Sequence, residues 1–211
     1  MSRSRNKLVM LSGMNNETVE RYRALRAQID RTGGGSGAPS VIAVAAPKAG
    51  SGTAEMAANL AIAYAQADRR TLLVDGEMNV PLIHQLFGLL NVVGLSSIIE
   101  ASSTAEDVVN RGVINNLDVI TAGPRLPYSK DFVGSYPLQP LFVSWRQQYD
   151  QICIATPSLL SSADAQLITA ACDGVLLVIR SGWVDENDAS RVKRLLALLD
   201  VPALGVALAH G

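Results

Sequence analysis

Residues 46–54 read Ala-Pro-Lys-Ala-Gly-Ser-Gly-Thr-Ala, a glycine-bearing loop between an apolar run and a segment of helical length. That is a setting for phosphate chemistry, because loop N–H groups and a helix N-terminus converge on an anion. A complete phosphate-binding loop reads GxxxxGK[ST]; its lysine neutralises phosphate charge and its hydroxyl helps hold Mg²⁺. Here Pro47, Lys48, Gly50, Ser51, Gly52 and Thr53 keep the shape, with Ser51 at the lysine's place and Gly52 at the hydroxyl's. Sliding the register by one brings Thr53 to the hydroxyl place but leaves Gly52 at the lysine. Lys48 is the one cation in the loop, and a solvated loop lysine is favoured over a relocated phosphate ligand. Asp75 ends the run TLLVD and could polarise water or bind a metal; a structural role is an equal alternative. His84 stands alone, without a titratable partner, and reads as a packed helix residue.

These residues need elements to position them. Short β-branched apolar runs predict strands at Ser40–Ala46, Thr71–Asp75, Leu117–Ala122, Gln151–Thr156, Gly174–Arg180 and Leu204–Leu208. Helix-length segments lie between or beside them at Asn16–Ile29, Thr53–Ala67, Pro81–Gly88, Leu95–Glu100, Ala105–Asn110, Leu138–Gln148, Ser162–Ala171 and Glu186–Leu199. Strands separated by helices give βαβ units, hence an α/β fold with a mostly parallel, doubly wound sheet flanked by helices. Ligands in such sheets bind beyond the carboxyl ends of the strands, which selects the loops after Ala46, Asp75 and Thr156. The glycine-rich stretch Arg31–Pro39 reads as a surface loop, since no helix or strand tolerates it.

The chain has 211 residues, 48% hydrophobic and 18% charged, with a formal net charge of −1. The apolar content excludes disorder, and the balanced charge excludes a nucleic-acid binder that works through bulk positive charge. Aromatic residues are 5%, so the core must come from Ala, Leu, Val and Ile. Cys153 and Cys172 sit in apolar segments without metal-ligand spacing and read as reduced thiols packed as small hydrophobes. No stretch reaches the ~18 apolar residues of a membrane span. Leu8–Gly13 is too short for a secretory core segment, and the chain reads as soluble and cytoplasmic.

Several segments together carry a resemblance. Tyr22-Arg-Ala-Leu-Arg26, Ala57–Ala67, the run Leu72-Leu-Val-Asp-Gly-Glu-Met-Asn-Val-Pro81 with His84-Gln-Leu-Phe-Gly88, and Tyr149-Asp-Gln-Ile-Cys-Ile-Ala-Thr-Pro157 with Ala163-Asp-Ala165 follow one another in order. The chain resembles the cytoplasmic domain of bacterial tyrosine kinases (BY-kinases), relatives of the Min/Par-type deviant Walker ATPases that accompany polysaccharide copolymerases. The resemblance covers most of residues 20–208 and implies a single P-loop NTPase-like domain over 1–211. Within it, 1–31 would be an N-terminal assembly helix, 32–40 a Gly-rich loop and 41–209 the α/β core. Glu20, Arg23 and Arg26 recur at i, i+3, i+6 and match the family's E-x-x-R-x-x-R pattern, which implies ring assembly. Their other reading is a solvated face with an intrahelical ion pair worth ~0.3–0.5 kcal/mol.

The departures from the family pattern bear on chemistry. The loop lysine and hydroxyl are lacking; Asp75 is kept, but the second aspartate of its segment is Glu77 and the arginine is Asn79. The Walker B aspartate is Ala155, and the base-contacting Asn near the last strand is Ala209. Phosphoryl transfer depends on positioning and charge neutralisation, and losing one such element costs on the order of 10²–10³ in rate. The resemblance and its gaps imply a degenerate kinase: a regulatory or assembly subunit in exopolysaccharide or capsule biosynthesis and export. Asp75 and Glu77 would be vestigial, with no metal and no cofactor. Its partners would be the cytoplasmic tails of a membrane copolymerase and further copies of itself, with no nucleic acid, and a partner would recruit it to the inner face of the membrane. The alternative is an active autokinase or ATPase using ATP and Mg²⁺ in a rearranged site built on Lys48 and Asp75. A Min/Par-like positioning protein is the third and weakest option.

Overall fold

The computed structural model describes residues 7–12, 16–32, 38–125 and 137–209. In chain order the elements are α1 Val9–Ser12, α2 Asn16–Thr32, β1 Val41–Ala46, α3 Thr53–Ala65, β2 Thr71–Asp75, α4 Ile83–Phe87, α5 Leu95–Ile99, β3 Val109–Ile114 and β4 Leu117–Ile120. They continue with α6 Leu138–Arg146, β5 Gln151–Ser158, α7 Ala163–Ala170, β6 Gly174–Arg180, α8 Glu186–Leu199 and β7 Ala203–Ala209. The strands form one seven-stranded sheet in the order β3-β4-β2-β5-β1-β6-β7. Every pairing is parallel except β3–β4.

β1, VIAVAA, is buried at every position because helices cover both faces of the sheet. α1 to α4 supply one apolar layer, gathered on Ile42, Val44, Leu73 and Val178. The other gathers Val41, Ala43, Val74 and Val175 with residues of α5 to α8. α3 is apolar nearly all round; its alanines let the helix lie close on the sheet, and ten residues of it are buried. α8 has one apolar stripe, with Val192 and Leu196 buried. Its N-terminus is closed by a capping box in which Asp185 accepts from the Asp188 N–H.

Ala105–Asn110 is not a helix. Residues 105–108 form turns, and Val109 opens an edge strand that pairs antiparallel with β4. Thr104 and Asp107 do exchange the hydrogen bonds of a helix start, but these close only one turn. Asn115-Asn116 makes the turn between the two strands. Asn116 adopts φ 62°, which asparagine tolerates in a two-residue hairpin turn. At the N-terminus, Leu8 and Met10 are buried, and Asn59 fastens the segment to α3 by accepting from Met10 N–H and donating to Lys7 C=O. The glycine run 33–37 lies outside the described residues. Among those described, no helix is long and apolar enough to cross a membrane.

Candidate functional site

The loop Pro47–Gly52 leaves β1 and enters α3. Six residues separate the last strand position, Ala46, from the first helical one, Thr53. Strand–GxxxxG–K[ST]–helix sets its first six residues on that stretch, with Pro47 in the first glycine's place and Gly52 in the second's. The residue in the lysine's place is therefore Thr53 and that in the hydroxyl's place Ala54, which moves the register on from Ser51 and Gly52. Lysine and hydroxyl are absent on either alignment. Gly50 and Gly52 have φ of +77° and +85°, left-handed conformations that side chains disfavour. Ser51 is buried, and its hydroxyl donates to the Lys48 carbonyl at 2.9 Å, within the loop itself. No side chain caps the start of α3, and Gly52, Thr53 and Ala54 line the cavity beside it.

That cavity, of about 1290 Å³, lies between the loop, α2, the turn after β2 and the end of β7. Its cations are Lys7, Arg21, Lys48 and Arg180 among the described residues. Each is already engaged. Lys7 pairs with Glu55 at 2.7 Å and Arg21 with Glu17 at 2.6 Å. Arg180 donates to the Gly50 carbonyl at 3.2 Å, and its guanidinium lies 4.0 Å from the centroid of the Trp183 ring. Lys48 is exposed, as a solvated loop lysine would be, but it is also partnered. It forms an ion pair with Asp188 and donates to the Trp183 carbonyl at 3.3 Å. The Asp188 carboxylate raises the Lys48 pKa, and Lys48 in turn lowers that of Asp188.

Asp75 is fully buried. One carboxylate oxygen accepts from Glu77 N–H at 3.2 Å; the other accepts from Leu82 and Ile83 N–H at 3.2 and 3.0 Å. Burial pushes its pKa up to about 6, although the three backbone donors pull the other way. The carboxylate thus closes the turn into α4 with its own chain. Glu77 lines the cavity and does similar work, accepting from Asn79 and Val80 N–H at 2.8 and 3.2 Å. Ala155 is the register partner of Asp75 on β5, so a Walker B carboxylate there would have stood beside it. Among the described residues no group of three His, Cys, Asp or Glu is placed to hold a metal ion. The loop shape suits an anion; the residues around it do not suit Mg²⁺ with a triphosphate.

Arg23 and Arg26, expected to serve assembly, make contacts within their own chain. Arg23 pairs with Glu20, and Arg26 donates to the Ala63 carbonyl at 2.7 Å, near the C-terminal end of α3. His84 is partly buried, its Nδ1 without a partner among the described residues, and burial lowers its pKa. Tyr22 beside Glu55 is pushed up to about 12, chiefly by burial. Sequence reasoning missed Lys7, Glu55, Arg180, Trp183 and Asp188. Arg180 had the one available signal, a cation at the carboxyl end of a buried strand.

No protein-family model matches the chain. It is 31% identical over 207 residues to the tyrosine-protein kinase YwqD of Bacillus subtilis (strain 168), an alignment spanning 98% of this chain and 87% of that protein. The chain belongs to the bacterial tyrosine-protein kinase family. It is also 31% identical over 189 residues to the putative tyrosine-protein kinase CapB of Staphylococcus aureus, covering 90% of this chain and 82% of that one. Among solved structures, the chimerical protein CapA2B2 superposes with a TM-score of 0.87 at 31% identity, over 96% of this chain and 89% of that one.

Proposed function

We propose that this chain is a catalytically degenerate BY-kinase that serves as a cytoplasmic regulatory or assembly subunit in exopolysaccharide or capsule biosynthesis and export. The observation that carries the reading is the state of the cavity cations: Lys7, Arg21, Lys48 and Arg180 each bind a group of their own chain. A triphosphate needs free positive charge, and phosphoryl transfer needs a metal to bridge its oxygens. With Thr53, Ala54 and Ala155 at the three key places, the usual sources of both are lacking. The scaffold and α2 are kept, which suits a protein retained for assembly: it would bind the cytosolic tails of a membrane polysaccharide copolymerase and further copies of itself. Calorimetry and thermal shift with ATP and ADP, with and without Mg²⁺, test it. Unchanged melting is expected, and micromolar binding of MgATP would overturn the reading.

The second reading is an active kinase or ATPase with a rearranged site. It is favoured by the relatives, tyrosine-protein kinases at 31% identity, and by the uncapped start of α3. A radiolabel assay decides it: phosphotyrosine that disappears in Lys48→Ala or Asp75→Ala would establish activity, and its absence in the unaltered chain would end the idea.

A further inference from the structure

The connection from β6 to α8 lies across the outer side of the phosphate loop. Just before it, the last residue of β6, Arg180, donates to the Gly50 carbonyl, and just after it Asp188, in the first turn of α8, holds the Lys48 ammonium. Between them Trp183 covers Gly50: a Cβ on that glycine would come within 3.1 Å of the indole ring. The ring is in turn stacked by Arg180, and the Trp183 carbonyl accepts from Lys48. Every one of these contacts bridges the two segments or braces a residue that does.

A loop with two left-handed glycines loses much backbone entropy on ordering, and phosphate loops hold their shape best around an anion. Here the chain offers its own partners on the loop's outer side. We propose that Arg180–Asp188 is a strap that keeps the phosphate loop in its cradle shape without a ligand, with Trp183 as the cover and Lys48–Asp188 as the fastening. The strap also ties the ammonium of Lys48, a residue of the cavity wall, to Asp188. This rests on reading residues 47–52 as a relic phosphate loop, and it adds how that relic is held.

Native-state proteolysis of the full chain by an endoprotease specific for lysine reads the strap directly. Cutting after Lys48 requires the loop to leave its seat and extend into the protease. Slow cutting is expected in the unaltered chain. Trp183→Ala and Asp188→Asn should each speed it about tenfold, with cleavage after Lys193 in α8 unchanged. Trp183→Phe, which keeps a ring over Gly50, should retain most of the protection. Equal Lys48 cutting in all four proteins would overturn the strap, and so would an equal rise at Lys193, which would mark a loss of global stability. No nucleotide enters the experiment, so MgATP binding would sink the proposed function without touching this result.

Discussion

Two turns at the carboxyl edge of the sheet, after β1 and after β2, have kept opposite halves of a phosphate site. The loop 47–52 has the backbone path, with its left-handed glycines and its entry into a helix, but Thr53 and Ala54 follow it in place of a lysine and a hydroxyl. The turn 76–82 keeps its side chain, Asp75, but turns that carboxylate onto its own backbone. The difference separates two reasons for retention. Backbone shape survives where the chain can brace it from outside. A buried carboxylate survives because removing it would orphan three N–H groups. Neither retention requires phosphoryl transfer.

The comparison can be broken at Ala155, where the lost carboxylate would be put back. The position is fully buried and in register with Asp75. Ala155→Asp sets a second carboxyl group beside the first with no metal ligand set around the pair. An uncompensated buried charge should cost about 3–5 kcal/mol at neutral pH. The charge part of the loss should shrink as pH falls towards about 4, below which the new group is neutral in both folded and unfolded chains. Urea unfolding at pH 7 and pH 4 measures both; a variant as stable as the parent at pH 7 would show that the site still accommodates two acids.

Asp75 itself comes next. Asp75→Ala leaves three backbone donors without an acceptor and should lower stability by about 2–3 kcal/mol. The pH dependence has a definite sign. With a folded pKa of about 6 against an ordinary value near 4, the folded chain binds more protons than the unfolded one between those values. Stability should therefore fall as pH rises through that window. Asp75→Asn removes the titration, and a melting profile that keeps the same slope would show that another group is responsible.

How much of this was legible in the sequence divides along the same line. β1, β2 and β6 could be read because each is a continuous apolar run buried on both faces, and α8 because of its 3.6-residue stripe. The edge strand Val109–Ile114 was not, because its half-exposed side chains leave no continuous run and a one-turn Thr104–Asp107 box imitates a helix start. At the site, the missing loop lysine and the missing Walker B carboxylate were plain from residue types. The fate of Lys48 was not: its partners Trp183 and Asp188 come from the far end of the chain, and only the β1–β6 pairing brings them to the loop. Loop register was likewise settled by the first helical residue, Thr53, rather than by glycine spacing.

The smallest expected effect sharpens the contrast from the other side. Thr53→Lys returns the lysine at the start of α3, where the wild-type residue is half-buried at the cavity wall and its side chain makes no cap. Surface changes of this kind stay within about 0.5 kcal/mol, and a lysine in the first turn meets only a mild dipole penalty. Restoring the cation should thus be nearly free in the loop, whereas restoring the acid in the strand is costly. Any pyrophosphate affinity that Thr53→Lys gains, measured by calorimetry without Mg²⁺, would come from the lysine acting on a backbone already in place. If the variant binds no better than the parent, the braced loop has the shape of a cradle but not its N–H geometry, and the retained path is structural alone.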